Sequence, residues 1–174
     1  MTTSVQPLSA EHAAAYRALT LQGYEQEPDA FTATPAERAG LPLSWWEQRI
    51  GGPDRTTIAF GAFDGVQLVG AVALEFSSRP KTMHKAHLIG MYVRPAARGK
   101  GVGRQLVELA LSHARKRPGI EVVTLTVTEG NDPAIALYET VGFHSFGVEP
   151  MAIRTPASYK SKVHMWQPID PADA

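Results

Sequence analysis

The chain has 174 residues, of which 44% are hydrophobic and 20% are charged, a composition typical of an ordinary globular domain. Lysine plus arginine and aspartate plus glutamate each total 17, which argues against a general nucleic-acid-binding protein, because such proteins carry a basic excess. The chain contains no cysteine, which excludes disulfides, thiolate zinc sites and a cysteine nucleophile.

Two helices are predicted before any strand. Ser9 is a candidate cap for a helix over residues 9–21, and Gly23 is expected to end it. Residues 24–42 are expected to form a link of short helical or irregular segments. The pattern "SWWE" at residues 44–47 is a capping box that opens a second helix, and the glycines at 51–52 are expected to end that helix.

Three strands are predicted next. The segments "TTIAFGAF" at 56–63 and "VQLVGAVALEF" at 66–76 flank Asp64–Gly65, a pair suited to a type I′ hairpin turn. The third strand is "KAHLIGMYV" at 85–93. These consecutive strands predict an antiparallel meander.

The second half of the chain predicts helix, strand, helix and two short strands. The helix over residues 101–117 has apolar residues at helical spacing, and "EVVTLTV" at 121–127 is a β-branched strand. Asn131 or Asp132 is expected to cap the next helix, and Gly142 lies just past its end. Two short strands are predicted at 143–148 and 162–167. The order predicts an α/β fold with a mixed, largely antiparallel sheet flanked by helices.

The segment "RPAARGKGVGRQL" at 94–106 combines glycines and cations. It is not a Walker P-loop, because Lys100 is followed by Gly101 rather than by Ser or Thr. It is not a dinucleotide fingerprint, because Arg104 or Leu106 stands where the third glycine is needed. The remaining interpretation is an anion site at the first amides of a long helix, with Arg98, Lys100 and Arg104 adding positive charge.

The segment "RGKGVG" at 98–103 resembles the Arg/Gln-x-x-Gly-x-Gly/Ala motif of the GNAT superfamily of acetyl-CoA-dependent N-acetyltransferases. The surrounding "MYVRPAARGKGVGRQLVE" and the later "NDPAIALYETVGF" at 131–143 extend the resemblance, which spans about residues 5–167. It implies one GNAT-like domain over residues 1–174 that uses acetyl-CoA as cosubstrate and needs no metal. Members are often dimers, so a homodimer is possible.

The resemblance also implies which residues hold acetyl-CoA. The pyrophosphate is expected on the amides of Gly99 to Arg104, and the pantetheine arm on backbone groups of Met91, Tyr92 and Val93. Asn131 is expected to contact the same cosubstrate. The full set is Met91, Tyr92, Val93, Arg98, Gly99, Lys100, Gly101, Val102, Gly103, Arg104 and Asn131.

Tyr138 matches the position of the family's general acid, and a phenol with a pKa near ~10 can protonate a departing thiolate at neutral pH. The general base is less defined. Thr126 stands where some members carry an acid, so His87 is the first candidate, Glu75 is the second, and a water chain is the third. His84 and His87 are three residues apart on an expected strand and would face opposite sides, which argues against a metal site.

The resemblance also implies that the acceptor enters opposite the cosubstrate, past Tyr24 and Phe31 on one side and Tyr159 on the other. The first side is also expected to carry the acids Glu25, Glu27 and Asp29. The second side is expected to carry Phe146 and the acid Glu149. We expect the acceptor to be the primary amine of a small molecule, amino acid or peptide-like compound. The alternatives are a non-catalytic acyl-CoA sensor, a protein N-terminal or lysine acetyltransferase, and transfer of a longer acyl group.

No apolar run approaches the ~18 residues of a membrane-spanning helix. The first twenty residues lack the apolar core of a signal peptide. We therefore expect a cytoplasmic protein with neither a membrane nor a nucleic acid as partner.

Overall fold

A computed structural model describes residues 2–51 and 56–170. The helices are α1 (Ala13–Gln26), α2 (Pro35–Ala39), α3 (Leu43–Gly51), α4 (Val102–Lys116) and α5 (Asp132–Thr140). The strands are β1 (Thr3–Pro7), β2 (Thr57–Asp64), β3 (Gln67–Phe76), β4 (Lys85–Val93), β5 (Val122–Thr128), β6 (His144–Arg154) and β7 (Tyr159–Pro168). Short 3₁₀ turns lie at Ala10–His12, Pro28–Ala30 and Pro95–Ala97.

The strands form one sheet in the order β1-β2-β3-β4-β5-β7-β6. Every neighbouring pair is antiparallel except β4 and β5, which are parallel. The predicted fold class, a mixed and largely antiparallel sheet flanked by helices, is therefore confirmed. Among the described helices, none is long and apolar enough to cross a membrane.

The sheet separates two hydrophobic layers, as the alternation along β3 shows. Val72 and Leu74 point to the side covered by α4 and share a core cluster with Leu106 and Ala110. Ala71 and Ala73 point to the opposite side and join the core of α1 and α3. Successive strand residues alternate between faces, so Glu75 lies on the face covered by α1 and α3.

Strands β4 and β5 diverge. Their ladder covers only Lys85–His87 against Val122–Thr124, although β4 continues to Val93 and β5 to Thr128. The β3–β4 register also shifts in this region, beside Gly90, whose φ is +65°. A bulge with a left-handed glycine bends the strand and releases backbone groups from the ladder. The gap between the diverging strands positions the candidate site.

The predicted end of the first helix is wrong. Helix α1 continues through Gly23 to Gln26, and the glycine serves packing instead. A Cβ at Gly23 would lie 2.9 Å from Cγ of Tyr92, so the missing side chain lets α1 approach β4 closely. Ser9 precedes a 3₁₀ turn, and α1 itself begins at Ala13.

Two turn predictions are also wrong in detail. Helix α3 begins at Leu43, so Ser44 lies inside the helix and cannot cap it. Gly52, predicted to help end this helix, lies outside the described residues. The β2–β3 loop is Gly65–Val66, since Asp64 pairs with Gln67. Only Gly65 has a positive φ, 59°, whereas a type I′ turn needs two such residues.

Candidate functional site

The glycine-rich segment forms a cradle at the start of α4. Gly99 and Gly101 have φ of 73° and 76°, and no heavy atom lies within 4 Å of a Cβ built on either. The first backbone hydrogen bond at the start of α4 joins the Gln105 amide to the Gly101 carbonyl at 3.0 Å. The amides of residues 102–104 therefore have no helical acceptor, and they form an anion site with the positive end of the helix dipole.

A cleft of about 540 Å³ runs along this cradle; we call it the loop cleft. It contains every predicted cosubstrate residue except Lys100, namely Met91, Tyr92, Val93, Arg98, Gly99, Gly101, Val102, Gly103, Arg104 and Asn131. The Lys100 Nζ donates to the Ala96 carbonyl at 2.9 Å, and Lys100 is not among the residues that line the cleft. The structure therefore brings these residues together in one cleft, and their role in cosubstrate binding stays a prediction.

The two arginines of the loop cleft already have partners. Arg98 donates from Nη2 to Glu27 Oε1 and from Nε to the Val93 carbonyl, both at 2.9 Å. Arg104 Nε donates to Glu108 Oε1 at 2.7 Å. Both pairs are substantially exposed, and such pairs contribute little stability. The backbone amides are consequently the groups best fixed in position to bind an anion.

Asn131 occupies the N-cap position of α5, but its side chain makes no capping hydrogen bond. The predicted N-cap position is therefore confirmed, whereas the side chain does not cap the helix and its carboxamide can face the cleft. Asn131 also lines a second cleft, so it lies where two clefts meet.

The second cleft, of about 360 Å³, lies where β4 and β5 diverge; we call it the strand cleft. Among the predicted residues, it is lined by Tyr138, His87, Glu75, Tyr24, Phe31, Met91, Thr126 and Asn131. The two clefts share Ala30, Phe31, Met91, Asn131 and Ala134. A molecule held in the loop cleft can therefore reach the strand cleft without crossing a packed core.

Tyr138 is the one buried residue of α5, with 6% of its surface exposed. The sequence placed it at the border of the apolar face, whereas it packs in the core, 5.9 Å from the Phe143 ring between centroids. Burial raises its pKa well above 10.0, because the phenolate would lose its hydration. The hydroxyl makes no hydrogen bond within the described part of the chain and stays protonated at neutral pH.

His87 lies on β4 within the strand cleft. Its Nδ1 lies 2.8 Å from Thr124 Oγ1, and Glu75 is directly opposite on β3. Burial lowers the pKa of His87 below 6.5, and the charge of Glu75 opposes this effect in part. The imidazole is therefore neutral at pH 7 and can accept a proton.

The prediction that His84 and His87 lie on one strand is wrong, because β4 begins at Lys85, after His84. In residues 2–51 and 56–170, no group of three or more His, Asp or Glu side chains is arranged to hold a metal ion.

The aromatic residues predicted for the acceptor separate into two places. Tyr24 and Phe31 stack edge-to-face with centroids 5.0 Å apart and both line the strand cleft. Tyr159 is 49% exposed at the start of β7 and lines neither cleft. Glu27 and Asp29 form ion pairs with Arg98 and Lys160, so these acids are not free to select a cationic acceptor.

The sequence analysis missed two arginines of the strand cleft, Arg38 on α2 and Arg49 on α3. Their guanidinium carbons lie 4.6 Å and 5.4 Å from the Trp45 ring centroid. The one available signal was the four-residue spacing between Trp45 and Arg49, which places them on one side of a helix.

We expect Gly101→Ala to weaken acetyl-CoA binding more than its effect on stability explains. A left-handed φ costs an alanine about 1 kcal/mol, and relief of that strain moves the amides of the cradle. Gly119→Ala is the matched control, since Gly119 also has a positive φ, 82°, and open space around a Cβ. Both variants should lose similar stability in thermal unfolding. Only Gly101→Ala should show a raised KM for acetyl-CoA, and equal KM values in both would contradict the cradle's role.

Comparison with known proteins shows the family of the chain. Residues 16–143 match the model of the acetyltransferase (GNAT) family. The chain is 40% identical over 72 residues to mycothiol acetyltransferase of Thermomonospora curvata, covering 41% of this chain and 23% of that protein. It is 40% identical over 89 residues to the N-alpha-acetyltransferase RimI of Mycobacterium tuberculosis, covering 51% and 52%. The chain thus spans between about a quarter and half of these relatives.

A solved structure shares the fold. The phosphinothricin acetyltransferase (Pat) of Sinorhizobium meliloti, in complex with AcCoA, superposes with a TM-score of 0.83 at 17% identity. The alignment covers 98% of this chain and 90% of that one. The family model covers most of the chain and contains both the glycine cradle and Tyr138. The chain therefore belongs to the acetyltransferase (GNAT) family.

Proposed function

We propose that the protein transfers an acetyl group from acetyl-CoA to the primary amine of a small molecule, amino acid or peptide-like acceptor. The observation that carries this proposal is the continuity of the two clefts. One cleft has the amide cradle that suits a pyrophosphate, the other has a neutral phenol and a neutral imidazole, and they meet at Met91 and Asn131.

The residues of the loop cleft fit acetyl-CoA. The open space beside Gly99 and Gly101 lets phosphate oxygens approach the amides at the start of α4. Beyond His87, β4 no longer pairs with β5, so backbone groups on that side can pair with the pantetheine arm, although the Val93 carbonyl already accepts from Arg98 Nε. An amide of residues 91–93 pointing at the thioester carbonyl would stabilise the negative charge that develops there, commonly a large catalytic contribution.

The transfer needs one proton removed and one supplied. The amine nitrogen attacks the carbonyl carbon, a carbon–nitrogen bond forms, and the carbon–sulfur bond breaks. We propose that the Tyr138 hydroxyl gives its proton to the departing sulfur. The amine proton passes to His87 directly or through water, and Tyr138 is reprotonated from solvent.

His87 is favoured over Glu75 as the base. When Nδ1 donates its hydrogen to Thr124 Oγ1, the Nε2 lone pair is left as the acceptor. Glu75 is an exposed carboxylate opposite the imidazole, and its charge stabilises the protonated ring. Glu75 is thus better suited to supporting His87 than to acting alone.

The relatives leave the acceptor open. One is named for mycothiol and the other for an N-alpha position, so a small molecule and a protein N-terminus are both represented. The strand cleft, at about 360 Å³, is the size of a small-molecule site, which favours the small amine.

Release of the CoA thiol tests the proposal. The purified protein is mixed with acetyl-CoA and a panel of primary amines, amino acids and N-terminal peptides, and free thiol is followed with time. We expect acceptor-dependent release and saturable acetyl-CoA binding by calorimetry. Binding without release for any acceptor would instead support the non-catalytic sensor, and absence of both would overturn the proposal.

We also propose a homodimer, on the basis of the β6 edge. Among the described strands, β6 pairs with β7 alone, and Phe146, Val148 and Met151 are 54–65% exposed along it. An exposed apolar edge strand favours association. Analytical ultracentrifugation should give the mass of two chains for the wild type and of one chain for Phe146→Ser combined with Val148→Ser. A wild-type protein with the mass of one chain would contradict the dimer.

A further inference from the structure

Two guanidinium groups converge in the strand cleft on the side away from the cradle. Arg38 from α2 and Arg49 from α3 both line the cleft and lie against the Trp45 ring. The Nε atom of each is buried and has no hydrogen-bond partner in the part of the chain that the structure describes. Stacking on an aromatic ring fixes a guanidinium plane but satisfies none of its N–H donors.

No carboxylate in the described residues neutralises this pair. The acid closest in sequence to Arg38, Glu37, turns away and accepts from the Thr34 amide and hydroxyl at 2.7 Å and 2.8 Å. The ion pairs found in the described residues involve other side chains. Two partly buried cations without a counter-ion are unfavourable, and an anionic ligand would supply what the fold lacks.

The charge balance of the whole strand cleft also favours an anionic ligand. Three cations line it, Arg38, Arg49 and Lys162, against the single carboxylate of Glu75. Lys162 is tied to the Thr32 hydroxyl at 2.7 Å, which leaves the two arginines as the open donors. Both guanidiniums also act on the buried Tyr24, whose pKa they lower against the larger raising effect of burial. Because both guanidiniums lie against the same Trp45 ring and line one cleft with Tyr24, they form one subsite.

We propose that the acceptor carries an oxyanion, foremost the carboxylate of an amino acid, and that Arg38 and Arg49 bind it. The inference rests on the proposed acetyl transfer, because it concerns the acceptor of that same site. A guanidinium presents paired N–H donors that match the two oxygens of a carboxylate. His87, Met91 and Tyr138 line the same cleft as the two arginines, so an acceptor bound there shares the cleft with the proposed reacting groups.

Matched acceptors test the subsite. Thiol release is compared for alanine, alaninamide and ethylamine. A fourth acceptor, 1-aminoethylphosphonate, replaces the carboxylate of alanine by a phosphonate. We expect kcat/KM for alanine to exceed that for alaninamide and ethylamine at least about tenfold, the value of one charge-assisted contact. A higher rate with 1-aminoethylphosphonate than with alanine would assign the subsite to phosphonates instead of carboxylates.

The variants Arg38→Gln and Arg49→Gln should remove this preference. Each should raise KM for alanine at least about tenfold, leave alaninamide unchanged, and leave KM for acetyl-CoA unchanged. Arg49→Lys keeps the charge but loses the paired donors, so its KM for alanine should lie between those of the wild type and Arg49→Gln. Arg115→Gln is the matched control, because Arg115 is exposed on α4, on the opposite face of the sheet, and it should behave as wild type. Thermal unfolding identifies any variant that fails to fold.

An unchanged ratio between alanine and alaninamide in folded Arg38→Gln and Arg49→Gln overturns the inference, as does a wild-type preference for the amide. Failure of the transfer itself has a different signature. If the wild type releases no thiol with any acceptor, alanine binding is measured by calorimetry in the presence of CoA. Saturable binding that both glutamine variants lose supports the subsite without the reaction, and no binding overturns it.

Discussion

We expect Tyr138→Phe to lower kcat by about 10²- to 10⁴-fold, the range that a positioned general acid contributes. The substitution removes one oxygen and keeps the ring that packs against Phe143. Because the hydroxyl has no hydrogen-bond partner among the described residues, folding stability should change little. The measurement is kcat from thiol release, with acetyl-CoA binding followed separately by calorimetry and expected to stay at the wild-type value.

The pH dependence provides a second test of Tyr138. Burial raises the pKa of this phenol above 10.0, so the proton-bearing form that acts as an acid persists to higher pH than for a free tyrosine. The wild-type rate should therefore show no loss of the acid below pH ~10. An unchanged kcat in Tyr138→Phe would remove Tyr138 from the role. Near-zero thiol release in both proteins, with acetyl-CoA still bound, would favour the sensor.

The parts of the site that the sequence predicted are those encoded locally. The left-handed Gly99 and Gly101 and the free amides of residues 102–104 all lie within one short segment. Glycine spacing and a strand-to-helix transition are enough to specify such a cradle. Strand β4, from Lys85 to Val93, was likewise predicted to the residue, since apolar side chains line it and Arg94–Pro95 ends it.

Exposed strands were harder to predict. Strand β1 has no fully buried residue, and its pairing with β2 depends on backbone hydrogen bonds rather than an apolar pattern. Strand β6 runs from His144 to Arg154, almost entirely exposed and interrupted by register shifts, so only its first residues were predicted. A strand that buries neither face lacks the period-two alternation from which strands are recognised.

Residues that meet only through tertiary packing were missed or misplaced. Arg38 and Arg49 belong to different helices, and Trp45 brings them together. Gly23 looked like a helix end because nothing near it in sequence indicates the Tyr92 ring that it contacts. Tyr159 was predicted to lie beside the acceptor, but it pairs with Arg154 next to the turn of the β6–β7 hairpin. Local patterns carry no information on such contacts.

We expect His87→Gln to lower kcat by about 10²-fold at neutral pH, the lower end of the range for general base catalysis. The wild-type rate should fall only on the acid side, because protonation of the imidazole removes the base. Burial lowers the pKa of His87, so this acid limb is centred below pH 6.5 and the imidazole is mostly in its base form at pH 7. The measurement is the pH–rate profile between pH 5 and 9 with an acceptor held at saturation.

Two further variants decide whether His87 is the base. The charge of Glu75 raises the pKa of His87 against the effect of burial, so Glu75→Gln should move the acid limb to lower pH while the plateau rate stays high. His144→Gln, an exposed histidine on β6, should leave the profile unchanged. If His87→Gln keeps the wild-type acid limb, His87 is not the base. If Glu75→Gln abolishes the limb together with the rate, the carboxylate is the base and His87 only positions it.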